Sequence, residues 1–127
     1  MDVHTLEVLL GFTDLQVDRA VLKKGHIELH CHSKFEENLC PSCLQKCRKV
    51  KSVSQRVVRD MSLLGKEVYL HLESRQFHCE TCNRYFQEQF SFVESKKTQT
   101  IRLEQYLYMC IKDSSIKKVA VRENVLW

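Results

Sequence analysis

The chain has 127 residues, 43% of them apolar, with 3 Gly and 1 Pro. That suits one packed domain, or a small domain with an appendage, and excludes collagen and low-complexity linkers. Net charge is +4. No apolar run approaches the roughly 18 residues of a membrane span, and the opening MDVHTLEVLLGF bears acids instead of a basic leader, so a cytoplasmic protein without signal or anchor is expected.

In chain order, Leu6, Leu9, Leu10 and Phe12 predict a short amphipathic turn or helix before Thr13. Residues 14–22 read as extended, and Lys24-Gly25 marks a turn. HIELHCH then alternates, with Ile27, Leu29 and Cys31 on one face and His26, Glu28, His30 and His32 on the other: a half-buried antiparallel strand. NLCPSC follows, and residues 47–59 read as one or two strands. SLLGKE predicts a hairpin turn at Gly65. Val68, Leu70 and Leu72 alternate with Tyr69, His71 and Glu73 in a second clear strand that runs through Phe77 into CETC. Tyr85, Phe86 and Phe90 predict a short return strand. Beyond SKKTQT the periodicity becomes helical: Thr98 or Thr100 caps a helix carrying Leu103, Leu107, Cys110 and Ile111. Asp113-Ser114-Ser115 breaks it and opens a second helix with Ile116, Val119 and Ala120. Two short helices across a tight polar turn predict the start of a helix-turn-helix.

The chain has 7 Cys. The odd number, with four in two C-x2-C pairs, argues against a disulfide scaffold and for metal in a reducing compartment. Two intervening residues let both sulfurs of a tight knuckle face one centre about 2.3 Å away, and two knuckles complete a tetrahedron. The 35 residues between Cys43 and Cys79 suit strands leaving one knuckle and returning to the other, a zinc ribbon. Four thiolates favour one structural Zn²⁺ at Cys40, Cys43, Cys79 and Cys82, with no position open for catalysis. On this reading zinc removal unfolds residues 40–90. A redox CxxC normally opens a helix after a strand in an α/β fold, whereas both pairs here have β surroundings. Cys47 reads as a free thiol on a strand, with competition for the metal as the alternative. Cys31 and Cys110 fall on apolar faces. His30 and His32 read as exposed strand histidines, with extension of a metal site as the alternative, and His78 as a neighbour of a ligand. No Ser/His/Asp or two-carboxylate constellation supports an enzyme.

Charge is uneven. Residues 1–39 carry 4 Lys/Arg against 7 Asp/Glu, and residues 40–127 carry 16 against 9. Residues 46–59 hold Lys46, Arg48, Lys49, Lys51, Arg56 and Arg59 without an acid, a pattern that suits phosphate, with a solvated strand face as the plain alternative.

These features together form a pattern. LLGF, HIELHCH, CPSC, RVVRDMSLLGKEVYLHL, RQFHCETCNRYFQEQF and TIRLEQYLYMCIKDSSIKKVA resemble the N-terminal part of the ISL-three family of bacterial insertion-sequence transposases, from Leu9 to the chain end. The resemblance implies a zinc ribbon followed by a helix-turn-helix, recognising the element's terminal repeats, with the catalytic acidic triad in a downstream domain. Where the family has a turn and then its recognition helix, this sequence has Glu123-Asn124-Val125-Leu126-Trp127, so a fragment or truncated product that keeps phosphate contacts and loses much base readout is expected.

The expected fold is thus α+β: a small antiparallel β zinc ribbon over residues 1–95, then a short helical, incomplete helix-turn-helix segment over 96–127. The expected function is a non-catalytic module binding double-stranded DNA at transposon ends. Lys46, Arg48, Lys49, Lys51, Arg56 and Arg59 would contact phosphate, supplemented by Lys117, Lys118 and Arg122. The alternative is a zinc-ribbon interaction module that pairs with its own copy or with full-length transposase.

Overall fold

The computed structural model describes residues 3–112 together with Lys118, Val121 and Glu123. Helix α1 (Val3–Leu10) is followed by β1 (Leu15–Lys23), β2 (His26–Ser33), β3 (Asn38–Leu39), β4 (Lys46–Cys47), β5 (Val50–Leu63), β6 (Lys66–Cys79), β7 (Arg84–Gln87) and α2 (Ile101–Lys112).

Strand β6 organises the molecule. One of its edges pairs along its length with β5, in a hairpin whose two strands have 14 residues each. Its other edge is shared end to end: β2 occupies Glu67–Leu72 and β7 occupies Gln76–Cys79. Strand β1 completes the main sheet as the neighbour of β2, and β3 and β4 form a separate two-stranded sheet. The hairpin turn at Leu64-Gly65 has φ of 51° and 76°. Two successive positive values match the right-handed twist of the flanking strands, and glycine adopts the second without a Cβ clash.

The alternating patterns read from the sequence are realised. Ile27, Leu29 and Cys31 of β2 and Val68, Leu70 and Leu72 of β6 are buried with Leu6 and Leu10 of α1 in one apolar cluster. One expectation is corrected: the sheet is not purely antiparallel, because β2 and β6 run parallel, with His30 opposite His71 and Cys31 opposite Leu72. Parallel pairing requires a crossover. Here it is supplied by β3 and β4, which pair with each other, and by β5, which pairs with β6. Residues 50–63 form one strand, bulged between Val50 and Ser52 and between Asp60 and Leu63.

Helix α2 is capped by Thr100, whose Oγ1 accepts a hydrogen bond from the Leu103 N–H at 3.3 Å. The capping residue is also anchored. Its hydroxyl donates to Asp60 Oδ1 at 2.8 Å, and Arg102 donates to the same carboxylate through Nε at 2.9 Å and through its terminal nitrogen. Arg102 also donates to the Leu10 carbonyl at 2.6 Å, so one buried aspartate on β5 ties the start of α2 to the end of α1. Leu103 and Leu107 are buried, with Cys110, Ile111 and Met61 packed against them. Of the second helix expected from the sequence, Lys118, Val121 and Glu123 are helical. Asp113-Ser114-Ser115, Ile116, Lys117, Val119, Ala120, Arg122 and residues 124–127 lie outside the described residues. No helix among the described residues is long and apolar enough to cross a membrane.

Candidate metal centre

The parallel register explains how two cysteine pairs 35 residues apart meet. Strands β2 and β6 point the same way, so the chain leaving β2 and the chain leaving β6 emerge at the same end of the sheet. The first delivers Cys40 and Cys43 between β3 and β4. The second delivers Cys79 and Cys82 between β6 and β7. Each knuckle closes by the same backbone device: the residue after its second cysteine is left-handed, Leu44 at φ 61° and Asn83 at φ 52°. The Leu44 N–H returns to the Cys40 carbonyl at 2.8 Å. Asn83 is a natural occupant of that conformation, and its Oδ1 lies 2.9 Å from His78 Nε2. Leu44 has no comparable polar group.

The four sulfurs lie within 4.8 Å of one another. Cys40 Sγ is 3.6 Å from Cys82 Sγ, and Cys43 Sγ is 3.4 Å from Cys79 Sγ. A tetrahedron of sulfurs at about 2.3 Å from zinc has edges of about 3.8 Å. The side chains therefore already stand close to the dimensions of a bound ion, and each short contact joins one knuckle to the other. Electrostatics agree. The backbone N–H of Cys82 holds the Cys79 thiol down to about 6, and the backbone N–H groups of Cys43 and Ser42 lower that of Cys40. Their partner Cys82, donating to Cys79, is pushed up to about 12. Four thiols sharing one small volume cannot all ionise unless a cation offsets the repulsion.

Beneath the sulfurs, Phe77 and Phe86 stack with ring centroids 5.6 Å apart, and both are buried. This apolar floor excludes water from one side of the centre. Cys47 is buried in the same cluster but its thiol turns to the Gln45 carbonyl at 3.5 Å. Burial, with Cys79 alongside, pushes it up to about 11, and its sulfur is not among the four that lie within 4.8 Å of one another. Cys31 sits in the main core and Cys110 on α2, both free.

A buried ion pair, which the sequence alone did not disclose, braces the centre. Glu88 is 2% exposed and accepts from Arg75 at both oxygens, Nε to Oε1 at 3.0 Å and a terminal nitrogen to Oε2 at 2.7 Å. Arg75 also donates to the Phe35 carbonyl at 2.7 Å and lies over the Phe77 ring at 4.9 Å. It thus links the chain after β2, the middle of β6 and the chain after β7, all three of which feed the knuckles.

The cations expected to meet phosphate fall into two groups. Lys46, Arg48, Lys49 and Lys51 are exposed on β4, in the connection after it and at the start of β5, beside the second knuckle. Arg48 pairs with Glu36 and Glu37, Lys49 lies 3.9 Å from Glu80, and Lys51 stands 4.3 Å over the exposed Tyr85 ring. Arg56 and Arg59 are occupied within the protein. Arg56 donates to the Glu94 and Lys97 carbonyls at 2.6 and 2.7 Å. Arg59 is buried, donates to the Glu123 carbonyl and lies 3.8 Å from Glu67. Lys118 is exposed, whereas Lys117 and Arg122 lie outside the described residues.

A closed set of four cysteines on two knuckles, with strands leaving one and returning to the other, defines the class: a structural zinc ribbon holding one Zn²⁺. Residues 36–82 match the family model described as the zinc-finger of transposase IS204/IS1001/IS1096/IS1165. Across 82 residues, 65% of its length, the chain is 30% identical to the transposase for insertion sequence element IS1001 of Bordetella parapertussis. It spans 20% of that relative. No solved structure shows a significant match. Residues 36–82 carry the zinc ribbon of this transposase family.

Proposed function

We propose that this chain is a non-catalytic DNA-engaging module of a transposase, in which the zinc ribbon presents a basic strand to the phosphates of double-stranded DNA at the element's terminal repeats. The observation that carries the reading is the run Lys46, Arg48, Lys49 and Lys51, exposed together beside the metal centre. The zinc knuckle fixes the strand they stand on, so the cations are placed by a rigid scaffold. Lys51 over Tyr85 adds an exposed aromatic to the group, and the likeness to a transposase supplies the context. Arg56 and Arg59 serve mainly to hold residues 94–98 and Glu123 against β5, and so act behind the contact surface. Lys117, Lys118 and Arg122 would supplement these phosphate contacts.

The test is binding of the zinc-loaded protein to a duplex bearing the parent element's terminal repeat and to a shuffled duplex, across a salt series. Four phosphate contacts give a slope of log K against log salt near about −3.6. Preference for the repeat places end recognition in this module. Equal affinity for both duplexes retains phosphate gripping and removes the recognition of ends. A flat salt response or no binding overturns the reading.

A further inference from the structure

The sheet face opposite the apolar core gathers three of the chain's six histidines around one carboxylate. Glu28 lies at the centre. His26 Nε2 is 3.4 Å from its Oε1, and His30 Nε2 and His71 Nε2 are 3.8 and 3.9 Å from its Oε2. The parallel register produces this grouping. His30 is the direct partner of His71, and Glu28 lies two residues before His30 on the same face. The two rings stack with centroids 4.8 Å apart. Their side chains and that of Glu28 are each about one-fifth exposed, which is sheltered for a strand's polar face.

A nitrogen-to-oxygen distance of 3.8–3.9 Å is too long for a hydrogen bond. Oε2 therefore has two imidazoles aimed at it and is hydrogen-bonded to neither. The spacing is closer to that of atoms sharing one cation: two ligands at about 2.0–2.1 Å from zinc in a tetrahedral arrangement stand about 3.4 Å apart. Burial, and then the nearby Arg19 charge, lower the pKa of His30. Lys23 Nζ lies 3.0 Å from Oε1, on the side His26 also faces, so it leaves Oε2 to the other two histidines. Among the described residues only the four cysteines already bring three or more ligand atoms all within 4.8 Å of one another. Closure of the histidine group around an ion requires the two imidazoles to turn toward one another.

We propose that Glu28, His30 and His71 form a second metal site, separate from the four-cysteine centre, for a divalent cation of zinc type, with His26 in reach as a fourth ligand once Lys23 turns aside. Two imidazoles and a carboxylate are harder donors than thiolates, so this ion exchanges while the ribbon's zinc stays. It ties β2 to β6, the one parallel pair in the sheet.

The experiment uses the untagged full chain loaded with one equivalent of zinc, titrated with ZnCl₂ by calorimetry while the ¹⁵N resonances of the imidazoles are followed. The expected result is a second saturable equivalent that shifts His30 and His71 Nε2. His71→Asn and Glu28→Gln should each weaken it by roughly tenfold or more, and His78→Asn should leave it unchanged. Retention of the first zinc reports that each variant folds. A single equivalent, or a second one that neither variant weakens and that leaves both imidazoles unshifted, overturns the site. Should a variant fail to fold, the imidazole shifts of the unaltered chain decide.

Discussion

The side chains of Arg75 and Glu88 meet through two hydrogen bonds, at 3.0 and 2.7 Å, with the carboxylate sealed from water and the guanidinium only partly so. Removing one member of a buried pair leaves the other without a partner, which costs more than the pair itself contributes. Glu88→Ala is therefore expected to destabilise the fold by about 3 kcal/mol, the low end for buried pairs because Arg75 retains some solvent. Glu88→Gln, which keeps one acceptor, is expected to cost less. Urea unfolding of the zinc-loaded protein checks both. A loss below about 0.5 kcal/mol for the alanine variant, the size of an ordinary surface change, would show that the brace is dispensable.

Zinc removal should divide the molecule. The sequence led to the expectation that residues 40–90 unfold together. The apolar cluster around Ile27, Leu29, Val68, Leu70 and Leu72 contains no metal ligand, whereas the cluster of Phe77 and Phe86 is built around all four. Chelation is expected to abolish amide protection at residues 38–48 and 77–87 and to preserve it at 27–31 and 68–72. Hydrogen exchange read by mass spectrometry checks this. Uniform loss would show that the sheet depends on the ion throughout.

Alkaline pH should expose the cost of Cys31. Its thiol is buried in the main core, and that burial pushes it up to about 12. Between the unfolded value, about 8.5, and the folded one, the native state holds a proton that the unfolded state has released. Stability from this group is whole below about pH 8.5 and falls as pH rises toward 12. Cys31→Ala should flatten this decline by up to a few kcal/mol relative to the unaltered chain, measured by denaturation at pH 8 and pH 10. Parallel pH curves would place the alkaline sensitivity elsewhere.

Cation substitutions should sort into two kinds. Lys46→Gln, Lys49→Gln and Lys51→Gln are expected to leave stability within about 0.5 kcal/mol and each to reduce the salt slope of DNA binding by about 0.9. Arg56→Gln gives up two hydrogen bonds to backbone carbonyls, worth about 1–3 kcal/mol together. It should lower the melting temperature and leave the slope nearly unchanged. Thermal melts and salt titrations on the same preparations separate the kinds. An Arg56 variant that loses slope at full stability would return it to the contact surface.

What was legible in the sequence was local. HIELHCH and Val68–Leu72 declare their buried faces by alternation, Leu64-Gly65 declares a turn, and two C-x2-C pairs declare a metal. The β2–β6 pairing was not legible, because no short-range signal says which strand a given strand lies beside. For the same reason the grouping of His71 with His30 was hidden 41 positions away in the chain. Asp60 and Glu88 look like ordinary surface acids until their partners Arg102 and Arg75 are placed. Arg56 and Arg59 show the reverse: basic residues in a basic run, assigned to phosphate contact by composition and turned inward by their position on β5.

The turn at Leu64-Gly65 stands at one end of the long hairpin and the knuckles at the other. Fourteen-residue arms at about 3.3 Å per residue separate them by roughly 40 Å. Leu64 is 88% exposed. Residues spliced in at this tip would lengthen a loop at about 0.6 kcal/mol per doubling, while every thiolate kept its place. The tip is thus a natural attachment point for a fluorophore or a surface linker, a handle by which the ribbon can be held or watched without disturbing its metal.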